Sequence, residues 1–471
     1  MILALATAVA TSITITPVVL ADATPTFGAK CTTLGQATGT KATDLVCAPN
    51  AAGVLHWSRL RLSLNGAAPV AAMHAPKGTI EFYHWRPEDK AILADIITKF
   101  EADNPGTVIN QVIMSSVDYT NLAYSKISKD PKAALFVTSR GGQFNQFMAG
   151  NQMRDITADR YVQQNVIGTM LPPATVGGKI YGIPYQLLLN DPLYNIAMFA
   201  KNNWTVPTNL TQVLSFCKTA KAAGVIPIAL PGATAGNAGQ IMNSVMMNAA
   251  PDLATLTAHL HAIDTGKEKL SDPWFTTNVA GVYKQMADAG CFPANLTGYN
   301  DTSASADFAN GKAAIYPTGT FQMSTVTTLN PAMKGNIGLM SFIATNSKPV
   351  YSGIYNDTFI LSVNAKASVT DQLIARAFLS YLTTAPIAQE YALGSSQHVT
   401  IPGVDYTANV DLANTASFLS KNLLLAPRFI FNNVGTVRNP MEAALVAIAG
   451  GADVTSTLAK TDTQIQQGLS G

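Results

Sequence analysis

An alternation of strands and helices early in the chain constrains the fold more than any other feature. Residues Thr79–Tyr83, Thr107–Met114 and Ala134–Val137 have the apolar patterns of strands. Between these strands, apolar residues recur at helical spacing over Ile92–Phe100 and again over Asp118–Ile127. Because strands that alternate with helices build a parallel sheet covered by helices, the sequence predicts an α/β fold.

The loops after these three strands give the first candidate site. In open α/β sheets, ligands bind beyond the carboxyl ends of the strands. The loops at those ends are His84–Arg86, Ser115–Val117 and Thr138–Gly142. We expect them to gather at one edge of the sheet.

The segment Gly177–Phe199, GGKIYGIPYQLLLNDPLYNIAMF, suits a chain that leaves one lobe and enters another. A Gly-Gly-Lys turn precedes a short strand, an apolar run and a Tyr-Asn step. This segment resembles the interdomain crossing of bacterial extracellular solute-binding proteins, with the pattern GK-x-YG-x-P … YN. The run Phe82–Gly106 resembles the first strand and helix of that family, and Phe308–Phe321, FANGKAAIYPTGTF, resembles its F-x-x-G-K-A-A-M … G-x-W/F motif.

The similarity extends over almost all of residues Gly78–Lys460, with the motifs in the same order. It implies a two-lobed, periplasmic-binding-protein-like clamp of type II. The implied lobe I is residues 79–186 and 351–395, and the implied lobe II is residues 187–350 and 396–460. Phe321 departs from the family pattern, where tryptophan is frequent; a phenyl ring keeps the stacking surface and loses the indole hydrogen bond.

The charge balance limits the kinds of partner. Only 12% of the 471 residues are charged, about half of the usual ~25%, and 30 basic residues stand against 28 acidic ones. A net charge of +2 without a basic run gives no electrostatic footprint for nucleic acid or an anionic membrane. We expect a monomer whose partner is a small-molecule solute and not a nucleic acid.

Residues 1–23 have the features of a secretory signal peptide. The segment is apolar, and its Ala21-Asp22-Ala23 has the small-x-small form of a signal-peptidase site. A membrane anchor is the alternative reading, but polar residues and Pro17 interrupt the run, which falls short of the ~20 apolar residues of a spanning helix. We therefore expect a secreted protein, extracellular or associated with the cell envelope.

The four cysteines are Cys31, Cys47, Cys217 and Cys291. In an exported chain an even number of cysteines indicates disulfides, and their spacing matches no zinc site. Four cysteines allow three pairings, between which the sequence does not choose; proximity favours Cys31–Cys47, which leaves Cys217–Cys291. The first bond would hold a small β module over residues 24–65, too small for a core of its own, ahead of a linker over residues 66–78.

No motif for catalysis is present in the sequence. A G-x-S-x-G nucleophile elbow, an H-E-x-x-H zinc helix and a G-x-G-x-x-G fingerprint are all missing. Both Gly-Lys pairs lack the Ser or Thr of a P-loop, because Ile180 follows Lys179 and Ala313 follows Lys312. We expect a binding protein without catalytic residues, metal or cofactor. A two-carboxylate glycosidase site stays open, since its acids need not be neighbours in sequence.

Sugar binding needs polar groups for the hydroxyls and aromatic rings for the C–H faces. Such residues at the expected cleft are Trp85, Ser116, Ser139, Gln186, Asp191, Tyr194, Phe321, Asp357 and Phe431. Each of them has a competing structural role, in the core for the aromatic residues and in a turn for the two aspartates. Arg428, after Pro427, either neutralises an acidic ligand or is solvated.

The sequence thus predicts a solute-binding protein that captures a sugar or oligosaccharide and delivers it to the membrane permease of an ATP-driven (ABC) importer. Two other functions stay open. One is a secreted glycan-active enzyme on a clamp-like fold. The other is a clamp for a non-sugar solute, which an excess of acidic or basic side chains in the cleft would indicate.

Overall fold

The computed structural model describes residues 29–30, 46–49, 55–58, 69–233, 238–342, 344–347, 353–420 and 425–470. In chain order, the strands are β1 (Val46–Pro49), β2 (Leu55–Ser58), β3 (Gly78–His84), β4 (Thr107–Ile113), β5 (Ala133–Thr138), β6 (Thr175–Val176), β7 (Lys179–Ile180), β8 (Ile183–Leu189), β9 (Leu193–Asn195), β10 (Ile226–Ile228), β11 (Ala313–Tyr316), β12 (Ile337–Leu339), β13 (Gly353–Val363), β14 (His398–Val399) and β15 (Leu425–Pro427).

The helices, again in chain order, are α1 (Lys90–Asp103), α2 (Ser116–Ile127), α3 (Gly142–Ala149), α4 (Arg160–Asn165), α5 (Ile196–Lys201), α6 (Leu210–Ala222), α7 (Ala238–Met246), α8 (Leu253–Asp264), α9 (Pro273–Phe275), α10 (Gly281–Asp288), α11 (Asp301–Ala309), α12 (Met323–Leu329), α13 (Val369–Leu382), α14 (Ala385–Ser395), α15 (Val410–Ser420), α16 (Asn439–Ala449) and α17 (Val454–Ser470). Within the described ranges, no helix is long and apolar enough to cross a membrane.

The first lobe is built on a sheet of seven strands in the order β14-β8-β13-β5-β3-β4, with β15 also paired to β13. Strands β3, β4 and β5 are parallel, as the sequence predicts, whereas β13 runs antiparallel to β5 and β8. Neighbouring side chains of β3 enter two different cores. Phe82 packs on Phe378 of α13, and Tyr83 lies among residues of α2 and α3. Helices therefore cover both faces of the sheet, which confirms the α/β class.

The second lobe is built on a smaller sheet with the order β10-β11-β9-β12. Its main core gathers buried residues of α6, α7, α8, α10, α16 and α17, among them Phe216, Met286 and Leu445. The helices α6 and α11 lie beside β10 and β11, so this lobe is again of mixed α/β type. Two separate sheets with separate cores give the two-lobed architecture that the sequence predicts.

Several segments carry the chain between the two sheets. The first crossing lies between Leu189 at the end of β8 and Leu193 at the start of β9. Strands β8 and β14 pair with each other, so residues 187–189 and 398–399 share the first sheet, although the sequence-based boundaries assign them to lobe II. A later crossing has no counterpart in the sequence analysis: β15 pairs with β13, and the chain then re-enters the second core at Phe431.

Ahead of the lobes, β1 and β2 pair antiparallel, with Val46 opposite Ser58. This strand pair lies within the predicted β module. The predicted signal peptide, residues 1–23, and Cys31 lie outside the described residues, so cleavage and the Cys31–Cys47 bond stay predictions. The described part of the predicted linker lies along the first lobe, where the amide of Val70 donates to Asn165 Oδ1 at 2.8 Å.

The second lobe contains a disulfide between Cys217 on α6 and Cys291 after α10. Both cysteines are fully buried in the main core of this lobe. The bond closes a sequence separation of 74 residues. It confirms the second of the two bonds that the cysteine positions favour.

Replacing both cysteines by alanine should lower the free energy of unfolding by about 4 kcal/mol, because the unfolded chain regains the entropy of the open loop. Urea unfolding followed by circular dichroism measures the effect. The matched control is Cys31→Ala with Cys47→Ala, which lies outside both lobes and should leave their unfolding unchanged. Equal stability of the two double variants would contradict the prediction.

Two histidines are buried in the first lobe. His84 ends β3, with its Nε2 at 3.0 Å from Gln111 Oε1, and His398 lies on β14, with its Nε2 at 2.7 Å from Thr415 Oγ1. Burial lowers the pKa of each imidazole to about 4. The unfolded chain therefore binds protons between about pH 6.5 and pH 4 that the native state does not bind, so stability falls as the pH falls through that window.

We expect His398→Gln to reduce the loss of stability between pH 7 and pH 5 by on the order of 2 kcal/mol relative to the unchanged chain. Urea unfolding at pH 7, 6 and 5 tests this difference. Comparing the variant with the unchanged chain removes the contribution of buried Asp191, whose pKa burial raises and which acts with the opposite sign as the pH falls. Exposed His261→Gln is the control. Identical pH profiles for the two variants would refute the prediction.

Candidate functional site

A cavity of about 300 Å³ lies between the two lobes. The first lobe contributes Arg140, two residues beyond the end of β5, and Ile354 at the start of β13. The second lobe contributes residues at or near α7 and α8, and the crossing segment after β15 contributes Arg428, Phe429 and Ile430. The cavity therefore opens at the carboxyl edge of the first sheet, where the α/β rule places ligands.

The lining is apolar with a few polar groups. The apolar part is formed by Met246, Met247, Leu256, Leu260, Ile354, Phe429 and Ile430. The polar part is formed by Asn243, Thr257 and the two arginines. Such a mixture is typical of small-molecule sites, in which a few placed polar groups orient the ligand within an apolar enclosure.

The two arginines approach the cavity from different elements. Arg140 is half-buried, and its Nη1 is 3.5 Å from Asn356 Oδ1 on β13. Arg428 is anchored by its backbone, since its amide donates to the carbonyl of Tyr355 at 2.8 Å. Burial lowers the pKa of Arg428 to about 9; the positive charges of Arg438 and Arg140 act in the same direction, and Glu442 acts in the opposite one. At neutral pH the guanidinium is still a cation.

The aromatic candidate of the first lobe, Trp85, lies at the same sheet edge. Its half-buried ring packs on Tyr119, with 5.1 Å between centroids, and on Phe359, with 5.4 Å. Phe359 has a φ of +55° and lies on β13 between Thr358 and Ile360, which pair with β8. The phenyl ring of Phe359 also lies 6.3 Å from the imidazole ring of His84, measured between centroids. Trp85 thus has packing contacts that would hold its ring in place.

The side chains of two polar candidates make hydrogen bonds inside the protein. The Gln186 amide donates to Asp89 Oδ2 at 3.1 Å and to the hydroxyl of Tyr391 at 2.6 Å. Asp191 is fully buried and accepts the amide of Ile354 on both oxygens, at 3.2 and 3.1 Å. Burial raises the pKa of Asp191 well above its usual range. In this arrangement Asp191 holds the start of β13 beside the cavity.

The serine candidates lie at the starts of helices. Ser139 bonds Gln143 Oε1 through its amide, at 2.8 Å, and through its hydroxyl, at 3.2 Å. Ser116 is the first residue of α2, and Asp357 lies on β13; the side chains of these two residues lie outside the description. Their backbone positions put both on elements that border the same sheet edge.

The remaining candidates belong to the second lobe. Tyr194 packs on Phe199, with 5.1 Å between ring centroids, and Phe431 is buried against Phe429, at 4.9 Å. Phe321 is half-buried in a short 3₁₀ turn. In the same turn, the hydroxyl oxygen of Thr320 accepts a hydrogen bond from the backbone amide of Leu189, at 3.1 Å. The turn carrying Phe321 is therefore joined to the first crossing segment.

Of the predicted candidates whose side chains are described, none lines the cavity. Three are immediate neighbours of its lining: Ser139 precedes Arg140, Phe431 follows Ile430, and Asp191 bonds Ile354. The roles of all nine stay predictions. No sequence pattern marked the lining residues of α7 and α8 as site residues, because an amphipathic pattern does not tell which part of a helix faces a cavity. Arg140 stood inside a candidate loop without being singled out.

The sequence matches the model of a known family over more than half of its length. That family is described as bacterial extracellular solute-binding protein, and the match covers residues 85–389. The chain is also similar to the multiple sugar-binding protein of Streptococcus mutans serotype c, with 21% identity over 360 residues, or 76% of this chain and 84% of that protein.

Solved structures share the architecture. A chitin oligosaccharide binding protein is 17% identical, with a TM-score of 0.69, over 83% of this chain and 99% of its own. The solute-binding protein RafE in complex with raffinose is 18% identical, also with a TM-score of 0.69, over 83% of this chain and 100% of its own. These likenesses confirm the two-lobed fold. The family match, over residues 85–389, shows that the chain belongs to the bacterial extracellular solute-binding proteins.

Proposed function

We propose that this protein captures a sugar or oligosaccharide between its lobes outside the cell and delivers it, unchanged, to the permease of an ABC importer. The observation that carries the proposal is the cavity with walls from both lobes. The names of its relatives, a multiple sugar-binding protein among them, support sugar as the ligand class. The family supports the permease as the partner.

Binding would act through the equilibrium between open and closed lobes. A ligand in the cavity touches Arg140 and Ile354 on one side and residues such as Asn243 on the other. Because these contacts form together only when the lobes approach, the ligand stabilises the closed state by its differential affinity. The permease then distinguishes loaded from empty protein by the closed form. Trp85 and Phe321 stay candidates for further contacts with a longer oligosaccharide.

A thermal-shift screen of the mature chain tests this function, with mono- and oligosaccharides, amino acids, peptides and polyamines as ligands. A sugar at ~100 times its dissociation constant should add about 2.7 kcal/mol of stability. Mass spectrometry of each stabilising ligand after incubation is the second readout. A sugar that stabilises the protein and is recovered intact supports the proposal. Cleaved sugar would establish the enzyme alternative, and stabilisation by non-sugar ligands alone would overturn the ligand class.

Close approach of the two walls depends on Gly141. Its φ is +83°, and a Cβ at this position would lie 2.5 Å from Ile430 Cγ2, in the lining of the cavity. The neighbouring Gly142 has open space around the corresponding position. The loop that carries Arg140 can therefore lie against the crossing segment only because residue 141 has no side chain.

We expect Gly141→Ala to cost about 1–3 kcal/mol of stability, because it adds backbone strain and a steric contact, and to weaken binding of the sugar found in the screen. Urea unfolding and calorimetric titration measure the two effects. Gly142→Ala is the matched control, because it makes the same change one residue away without either cause. Equal behaviour of the two variants would show that the contact with Ile430 does not shape the site.

A further inference from the structure

We propose that Asp264 is a positioning residue for the captured solute. It fastens the crossing segment after β15, residues 428–433, to the end of α8, and so joins two walls of the cavity into one unit of the second lobe. This inference rests on the proposed function, because it concerns the same cavity.

The bonds of Asp264 are all made to the crossing segment. Asp264 is the last residue of α8, and its side chain is fully buried. Its Oδ2 accepts the backbone amide of Asn432 at 2.8 Å, and its Oδ1 accepts the backbone amide of Asn433 at 3.0 Å. The side-chain amide of Asn433 donates in turn to the backbone carbonyl of Asp264 at 2.7 Å. Three hydrogen bonds therefore hold the segment against the end of the helix.

Both of the elements that Asp264 joins line the cavity. Helix α8 contributes residues 256, 257 and 260, and the crossing segment contributes residues 428–430. Leu260 lies about one helical turn before Asp264, and Ile430 lies two residues before Asn432. The three bonds thus lie directly behind the lining, and their loss would let the two walls move apart.

The crossing segment has a second anchor, on the first lobe. The amide of Arg428 donates to the carbonyl of Tyr355 on β13 at 2.8 Å. Only residues 429–431 lie between this anchor and the bonds to Asp264, so the reach of three extended residues limits the separation of the two anchors. Asp264 therefore sets how the wall from the second lobe meets the wall from the first.

A matched carboxylate lies elsewhere in the second lobe. Asp462 on α17 is also buried, and its oxygens accept the amides of Leu270 at 2.7 Å and Ser271 at 3.0 Å. None of these three is among the described lining residues of the cavity. The bonding pattern alone is thus a structural device, and what sets Asp264 apart is that its bonds join two lining elements.

Asp264→Asn and Asp462→Asn are the paired variants. Each turns one carboxylate oxygen into an NH₂ group that faces a backbone N–H donor, so a hydrogen bond is lost without a change of size. Hydrogen exchange followed by mass spectrometry should show about 10- to 100-fold faster exchange at residues 432–433 in the first variant and at residues 270–271 in the second. Unchanged exchange at residues 432–433 would overturn the inference.

Affinity separates a positioning role from a structural one. The probes are glucose, galactose, maltose, cellobiose and raffinose, and the sugar that binds the unchanged protein most tightly is used in calorimetric titration of both variants. Asp264→Asn should weaken its binding by about 10-fold or more, whereas Asp462→Asn should change it by less than about twofold. Equal affinities in the two variants would overturn the inference, since both lose the same kind of bond.

Asn433→Ala makes a milder test that does not depend on the folding of Asp264→Asn. It removes only the side-chain bond to the carbonyl of Asp264 and should weaken the same probe by about 2- to 10-fold. The control is Asn202→Ala, which removes an equivalent bond to the carbonyl of Met198, at 2.9 Å, at the end of α5. Unchanged affinity in the folded Asn433→Ala variant would contradict the role of these bonds.

A measurement without ligand distinguishes failure of this inference from failure of the proposed function. Spin labels carried by p-acetylphenylalanine at exposed positions Val369 and Leu329, one in each lobe, report the distance between the lobes by double electron–electron resonance. Asp264→Asn should widen the distance distribution, and Asp462→Asn should leave it unchanged. If none of the five sugars binds, the proposed function loses support and the distribution decides this inference. The same distribution in both variants would then overturn it.

Discussion

The hydrogen bonding of strand β13 is the constraint on which both lobes depend. It pairs with β8, β5 and β15, so one strand joins the early part of the chain both to β8, which leads into the second lobe, and to β15, which follows elements of that lobe. Asp191, at the first crossing, holds the amide of Ile354 at the start of this strand. The sheet therefore positions the first-lobe wall of the cavity, because Ile354 is a paired residue of β13 and Arg140 lies two residues beyond the paired end of β5.

Around this wall, the site combines a rigid first lobe with elements supplied by the second. The ring of Phe359 packs on Trp85, and Gly141 lets the loop after β5 lie against Ile430. Arg140 and Arg428 reach the same space from the two sides of this contact.

Much of the fold was predictable from the sequence because it depends on local patterns. The apolar residues of α1 that the spacing selects, Leu93, Ile96, Ile97 and Phe100, are all buried. The segment Gly177–Phe199, which the sequence predicts to cross between the lobes, contains β8 and β9, and these two strands belong to different sheets. In contrast, β15 escaped prediction, because a strand of three residues carries no periodicity and exists only by pairing with β13. The crossing beside Arg428 was missed with it.

The sequence by itself determined the class of the protein: two α/β lobes, the membership of a solute-binding family and a surface poor in charge. Those properties follow from residue types and their order, which local structure reflects directly. Only the tertiary structure decided which residues meet at the cavity. Arg140, Asn243, Ile354 and Arg428 are separated by long stretches of chain, and Gln186 and Asp191, polar residues at the expected cleft, are taken up by internal hydrogen bonds. Convergence of side chains depends on how strands pair and lobes pack, and no local pattern encodes that.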